Sequence, residues 1–122
     1  MRTIRILFAD DTRDTRELFR MAMKVNGMET RLAVDGEEAV AAVREELFDA
    51  IILDIEMPRM DGWRALREIR ALGNGATVPI FMFTAYGDSE YRKRALASGA
   101  NDLWHKPILP SEVMTRVFKH LA

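Results

Sequence analysis

The stretch Ala50-Ile51-Ile52-Leu53-Asp54-Ile55 is apolar on successive positions until Asp54 interrupts it. An amphipathic strand would alternate, so unbroken apolarity over so short a run suits a strand covered on both faces, as in a parallel sheet. Pro79-Ile80-Phe81-Met82-Phe83 repeats the pattern. Three further short runs, Ile4–Ala9, Thr30–Val34 and Asp102–His105, accompany Ala50–Ile55 and Val78–Phe83.

Segments with helical spacing separate these runs. Leu18, Met21, Ala22 and Val25 recur at one-face intervals, Val40, Val43 and Leu47 do so in part, and Leu66 with Ile69 and Val113, Val117 and Leu121 mark later helices. Asp88–Ser98 has only the weak stripe Tyr91 and Ala95 and is expected to pack least securely. Thr12 is expected to cap the first helix, and Asn26-Gly27 to end it with a left-handed residue. Asp35-Gly36, Asp61-Gly62, Asp88 and Pro110 stand at later helix starts, and Gly99 closes the fourth helix. Alternation of β and α segments predicts an α/β fold with right-handed crossovers and helices on both faces, and no linker or repeat divides residues 1–122.

The composition agrees. The 122 residues are 48% hydrophobic and 30% charged with a net charge of −1, leaving no positive field for direct nucleic-acid or anionic-membrane binding. The absence of cysteine excludes disulfides, thiolate metal sites and cysteine nucleophiles. Neither a signal peptide nor a membrane span is legible, so the expected location is cytoplasmic.

In such sheets ligands sit at the carboxyl ends of the strands. Those ends carry Asp10-Asp11, Asp54, Thr84 and Lys106-Pro107. Any one of them alone reads as a cap or a turn. Three carboxylates in one pocket, however, repel unless protonated or held by a cation, and an all-oxygen site with few protein ligands favours Mg²⁺. A divalent ion and one ammonium would neutralise the three. A carboxylate so placed can accept a phosphoryl group, with Lys106 and Thr84 meeting the transferred oxygens.

These residues carry a family resemblance. The acidic pair Asp10-Asp11, Asp54 within Ile-Leu-Asp-Ile-Glu-Met-Pro, Met60-Asp61-Gly62, Thr84-Ala85, Ser98-Gly99-Ala100 and Lys106-Pro107 make the chain similar, over essentially its whole length, to a bacterial response-regulator receiver domain of the chemotaxis type. The resemblance implies a five-stranded flavodoxin-like sheet of order 2-1-3-4-5 and five helices. It implies that Asp54 takes phosphate from a phosphohistidine on a sensor histidine kinase or histidine phosphotransfer protein, and that the chain is a switch rather than a turnover enzyme. It further implies Mg²⁺ on Asp11, Asp54 and the backbone carbonyl of Glu56, with Asp10 acting through water. Lys106 and Thr84 would contact the phosphoryl group, and the Lys106-Pro107 bond would be cis. The surface of helix four, strand five and helix five would then be read by a downstream effector, with room for a phosphorylation-dependent dimer.

The chain departs from the family at Leu103, where an aromatic switch residue is usual; Leu103 is expected to pack as ordinary core edge, with Trp104 or Tyr86 taking part of the aromatic's role. Glu56 reads either as a solvated loop side chain or as one that meets the metal through water, pairs with Lys106 or repels the phosphoryl group, and with Tyr86 it is expected to set phosphate lifetime. Phe19, Phe48, Trp63, Phe118 and the methionines are expected in or around the core, His105 and His120 in packing or surface roles, and Arg92-Lys93-Arg94 on a solvated helix face. Three alternatives compete. A haloacid-dehalogenase-type phosphatase would use Asp54 and Glu56, a receiver-like module would work unphosphorylated, and a flavodoxin would need a phosphate-cradling loop where Asp10-Asp11 stands.

Overall fold

The computed structural model describes residues 2–121. Ten elements alternate: β1 Arg5–Ala9, α1 Arg13–Val25, β2 Glu29–Ala33, α2 Gly36–Glu45, β3 Ala50–Asp54, α3 Gly62–Arg70, β4 Ile80–Thr84, α4 Ser89–Ala97, β5 Asp102–His105 and α5 Pro110–Leu121. The strands form one parallel sheet of order β2-β1-β3-β4-β5. β3 lies at its centre and is buried at every residue, which explains its unbroken apolar run.

Each face of the sheet has its own core. Leu7, Leu53, Met82 and Leu103 pack beneath α2, α3 and α4, whereas Phe8, Ile52, Phe83 and Trp104 pack beneath α1 and α5. Phe8 stacks on Phe19 with ring centroids 4.5 Å apart, and Phe81 stacks on Trp104 at 4.7 Å. Truncating a fully buried residue such as Leu53 to Ala would cost about 2–5 kcal/mol.

The helix ends follow local chemistry. Asp35, Asp61 and Asp88 accept hydrogen bonds from backbone N–H groups in the first turns of α2, α3 and α4. Gly27 after α1 has φ +77° and Gly99 after α4 has φ +104°, conformations that side chains resist. Gly62 answers a different need: a Cβ there would lie 2.3 Å from the Asp54 carbonyl oxygen, so only glycine lets α3 start against β3.

Several expectations are corrected. Thr12 stands at the start of α1 but makes no side-chain cap; its N–H instead donates to Asp10 Oδ1 at 2.7 Å. The buried side of α1 carries Phe19 and Met23, while Leu18, Met21 and Val25 are exposed. Two apolar stripes share the helical period of this helix, and the one with the larger aromatic takes the core. Leu47 lies past the end of α2 and is exposed, and Phe118 faces solvent on α5.

α4 behaves as its weak stripe foretold. Ala95 is its one fully buried residue. Polar and aromatic contacts hold the rest, and the basic run is not merely solvated. Arg92 bonds Asp102 at 2.8 Å, Lys93 meets Glu90 at 3.3 Å, and Arg94 lies 4.0 Å over the Trp63 ring, whose edge meets Tyr91. The two ion pairs are exposed and add little stability, and α4 has the fewest fully buried residues of the five helices.

Candidate functional site

Strand register builds the site. Ala9 pairs with Leu53, so the next residue on each strand, Asp10 and Asp54, come side by side. Thr84 pairs with His105, which places Lys106 one step beyond Thr84, and its backbone N–H donates to the Thr84 carbonyl at 2.8 Å. The Lys106-Pro107 peptide is cis, as the resemblance implied.

Asp10 is 0% exposed and Asp54 1% exposed. Lys106 Nζ bridges them, 3.1 Å from Asp54 Oδ2 and 3.4 Å from Asp10 Oδ2, and sits 4.8 Å from the Phe83 ring centroid. Burial pushes the Asp54 carboxyl up to about 6; the Lys106 charge opposes this, and the Asp10 and Glu56 charges add to it. Burial would lower Lys106, but the Asp54 and Asp10 carboxylates hold it above its ordinary value.

Asp11 is exposed at the mouth of the site, and its carboxylate lies with those of Asp10 and Asp54 within 4.8 Å of one another. One ammonium cannot neutralise two buried carboxylates and a third beside them. The donor set is all oxygen. These residues therefore fit a hard divalent cation such as Mg²⁺.

Glu56 is where sequence reasoning fell short. Its carboxylate meets neither Lys106 nor the acidic cluster; Oε1 accepts the Thr84 hydroxyl at 2.6 Å. Thr84 Oγ1 in turn accepts the Tyr86 N–H at 3.0 Å. Arg59 was also missed. It holds φ +64° in the loop after β3 and forms an ion pair with the buried Asp35 that caps α2. Burial alone would raise the Asp35 carboxyl, but the first-turn amide of Glu38 and the Arg59 guanidinium lower it. Asp61-Gly62 marks the helix start that follows, but nothing in the sequence around Arg59 names a partner at the start of another helix. Leu103 is core on the α2–α4 side, Trp104 is buried on the other side, and Tyr86 is exposed. His105 Nε2 lies 3.2 Å from the Gly87 carbonyl, and His120 packs edge-on against Phe81.

Comparison with known proteins bears on this geometry. The family model "Response regulator receiver domain" matches residues 6–118. The chain belongs to the response regulator receiver family. A curated relative, an uncharacterized 14.6 kDa protein of Leptolyngbya boryana, is 38% identical over 92% of this chain and 86% of its own length. The response regulator MprA of Mycobacterium tuberculosis is 37% identical over 94% of this chain, which spans only 49% of MprA. The receiver domain of sensor histidine kinase PA1611 from Pseudomonas aeruginosa, solved with a magnesium ion coordinated in its active site cleft, superposes with TM-score 0.88 at 31% identity, covering 98% of each chain. As a receiver this chain is a regulatory phosphoacceptor with an acidic cluster suited to a metal ion, not a turnover enzyme, and the phosphatase and flavodoxin alternatives fall away. Among the described residues no helix is long and apolar enough to cross a membrane.

Proposed function

We propose that residues 1–122 form one receiver domain in which Asp54 is the phosphoacceptor. The observation carrying this is a buried carboxylate paired to Lys106 beside a second buried carboxylate, at the carboxyl end of the central strand. The donor is a phosphohistidine on a sensor histidine kinase or histidine phosphotransfer protein. An Asp54 oxygen attacks phosphorus, the phosphorus–nitrogen bond breaks, and the histidine nitrogen departs with its electron pair, leaving an acyl phosphate on Asp54.

Little covalent help is needed, because such transfers depend mainly on positioning and charge. Lys106 orients Asp54 beforehand and stays beside the charge that develops. Asp11, Asp54 and the Glu56 backbone carbonyl would hold Mg²⁺, with Asp10 acting through water; when bound, the ion neutralises the transferring oxygens. Tyr86, exposed and joined to Thr84 through its backbone N–H, is placed to act as the movable aromatic, whereas Trp104 is pinned on Phe81 beneath α5.

Phosphorylation exchanges one negative charge for about −1.5 to −2 and adds acceptor oxygens. Thr84 and Lys106 can meet them, and α4, weakly packed and adjoining β5, is the element that yields. The α4, β5 and α5 surface is thus the one presented to an effector, or to a second copy in a phosphorylation-dependent dimer. Direct binding to nucleic acid or membrane is no part of this reading, and a cytoplasmic location suits it.

Acetyl phosphate with Mg²⁺ tests it. Mass spectrometry should find a single phosphoryl group on the wild-type chain and none on Asp54→Asn. Labelling that persists in Asp54→Asn would overturn the assignment. A wild type that takes no label and ignores beryllofluoride would favour a module that works unphosphorylated.

A further inference from the structure

Thr84 is wholly buried, and its hydroxyl has a single hydrogen to give. In this structure that hydrogen goes to the Glu56 carboxylate at 2.6 Å, while the oxygen accepts the Tyr86 N–H at 3.0 Å. A hydrogen bond from a hydroxyl to a carboxylate is short and about twice as strong as one between neutral groups. The hydroxyl is therefore already committed to a partner of full negative charge. A phosphoryl oxygen on Asp54 would need the same hydrogen.

Chain geometry couples the rivals. Glu56 follows Asp54 by two residues, and its backbone N–H lies 3.3 Å from Asp54 Oδ1. The far end of their loop is tied down by three contacts. The Gly36 N–H donates to the Met60 carbonyl at 2.9 Å, the Gly62 N–H donates to the Ile55 carbonyl at 2.8 Å, and Arg59 pairs with Asp35. With the loop so anchored, a change of charge at Asp54 is most easily answered by the Glu56 side chain.

We propose that Glu56 is a positioning residue that holds the Thr84 hydroxyl in the resting state and competes with the phosphoryl group for it. This rests on Asp54 being the phosphoacceptor. Phosphorylation then acts on the contact from both sides. The added negative charge repels the Glu56 carboxylate, and the phosphoryl oxygens offer Thr84 a replacement acceptor. Thr84 changes partners, and the Tyr86 amide bonded to it follows. The resting state is held by a specific bond and not merely by the absence of phosphate. The cost of breaking that bond is taken from the affinity for the phosphoryl group.

Charge repulsion alone would also make Glu56 unfavourable, so the test must separate holding from repulsion. A double-mutant cycle does so. Wild type, Glu56→Ala, Thr84→Ala and the double variant are titrated with beryllofluoride at saturating Mg²⁺, with binding read by fluorine NMR and folding checked by urea melts. Glu56→Ala should tighten beryllofluoride binding about tenfold when Thr84 is present and at least about threefold less than that when it is absent, where only charge repulsion is left. Equal tightening in both backgrounds, or none in either, overturns the proposal.

A second measurement reads the resting contact directly. Threonine side-chain couplings in the unphosphorylated protein should show one dominant Thr84 rotamer in wild type and a redistribution in Glu56→Ala; an unchanged rotamer also overturns it. Should wild type bind no beryllofluoride, the phosphoacceptor reading fails, and the rotamer result still decides whether Glu56 holds Thr84.

Discussion

Replacing Asp54 by Asn should stabilise the metal-free protein. Asp54 is 1% exposed, and burial lifts its carboxyl from 3.8 to about 6 even with Lys106 beside it. At about 1.4 kcal/mol per tenfold, keeping that group ionised at neutral pH costs the fold about 3 kcal/mol. Asn keeps the shape and an acceptor for Lys106 without the charge. A gain on the order of 1–3 kcal/mol at pH 8 is therefore expected, allowing for relaxation around the amide. The sign follows from proton binding. Between 3.8 and about 6 the folded chain holds a proton that the unfolded chain has released, so this group's contribution to stability is complete below 3.8 and is lost as pH rises through about 6. Urea denaturation with EDTA from pH 4 to pH 8 measures both effects. Wild type should show this downward contribution across that window, and Asp54→Asn should lack it. If Asp54→Asn is no more stable at pH 8, and its pH profile runs parallel to wild type, the buried-charge reasoning is wrong.

Mg²⁺ should raise the thermal midpoint of wild type by mass action, and by much less in Asp11→Asn and Asp54→Asn; equal shifts would remove these residues from the metal site. Lys106→Ala deletes the charge that opposes the upward shift of Asp54, so the carboxyl should titrate above about 6 in carbon-13 NMR; titration at or below that value would contradict the pairing. Arg59→Ala should cost about 1–2 kcal/mol in urea melts, because the buried Asp35 loses its partner while the strain of φ +64° stays as it is in wild type. Arg59→Gly should cost less, since glycine adopts that conformation freely, and a costlier glycine would refute the strain argument. Tyr86→Ala should change the dephosphorylation rate while labelling of Asp54 still occurs; an unaltered rate would leave Tyr86 without a part in phosphate lifetime.

Most of the architecture was legible because it rests on short-range rules. Unbroken apolarity in Ile51-Ile52-Leu53 marks a strand buried on both faces, and β3 is that strand. Asp35, Asp61 and Asp88 cap helices because a carboxylate answers free amides within three residues, whatever lies elsewhere. Strand-end residues Asp10, Asp54, Thr84 and Lys106 could be gathered in advance because a parallel sheet brings its carboxyl ends to one edge.

Where a choice depended on what packs opposite, the sequence was silent. Helix α1 offers two apolar stripes at the same period, and only the aromatic pocket around Phe8 selects Phe19 over Leu18, Met21 and Val25. Glu56 had Lys106, a metal or solvent as plausible partners by charge; the position of its loop gave it the Thr84 hydroxyl. Arg59 reaches Asp35 across 24 residues of chain, a distance at which sequence spacing carries no information. The sequence by itself determined the elements and the order of chemistry along the strand ends, which follow from local periodicity, while the strand order that sets Asp10 beside Asp54 was implied by the family resemblance. Tertiary structure alone decided which stripe is core, how far Asp54 is removed from water and which group holds Thr84. Those are set by side chains that meet in space after distant segments have packed.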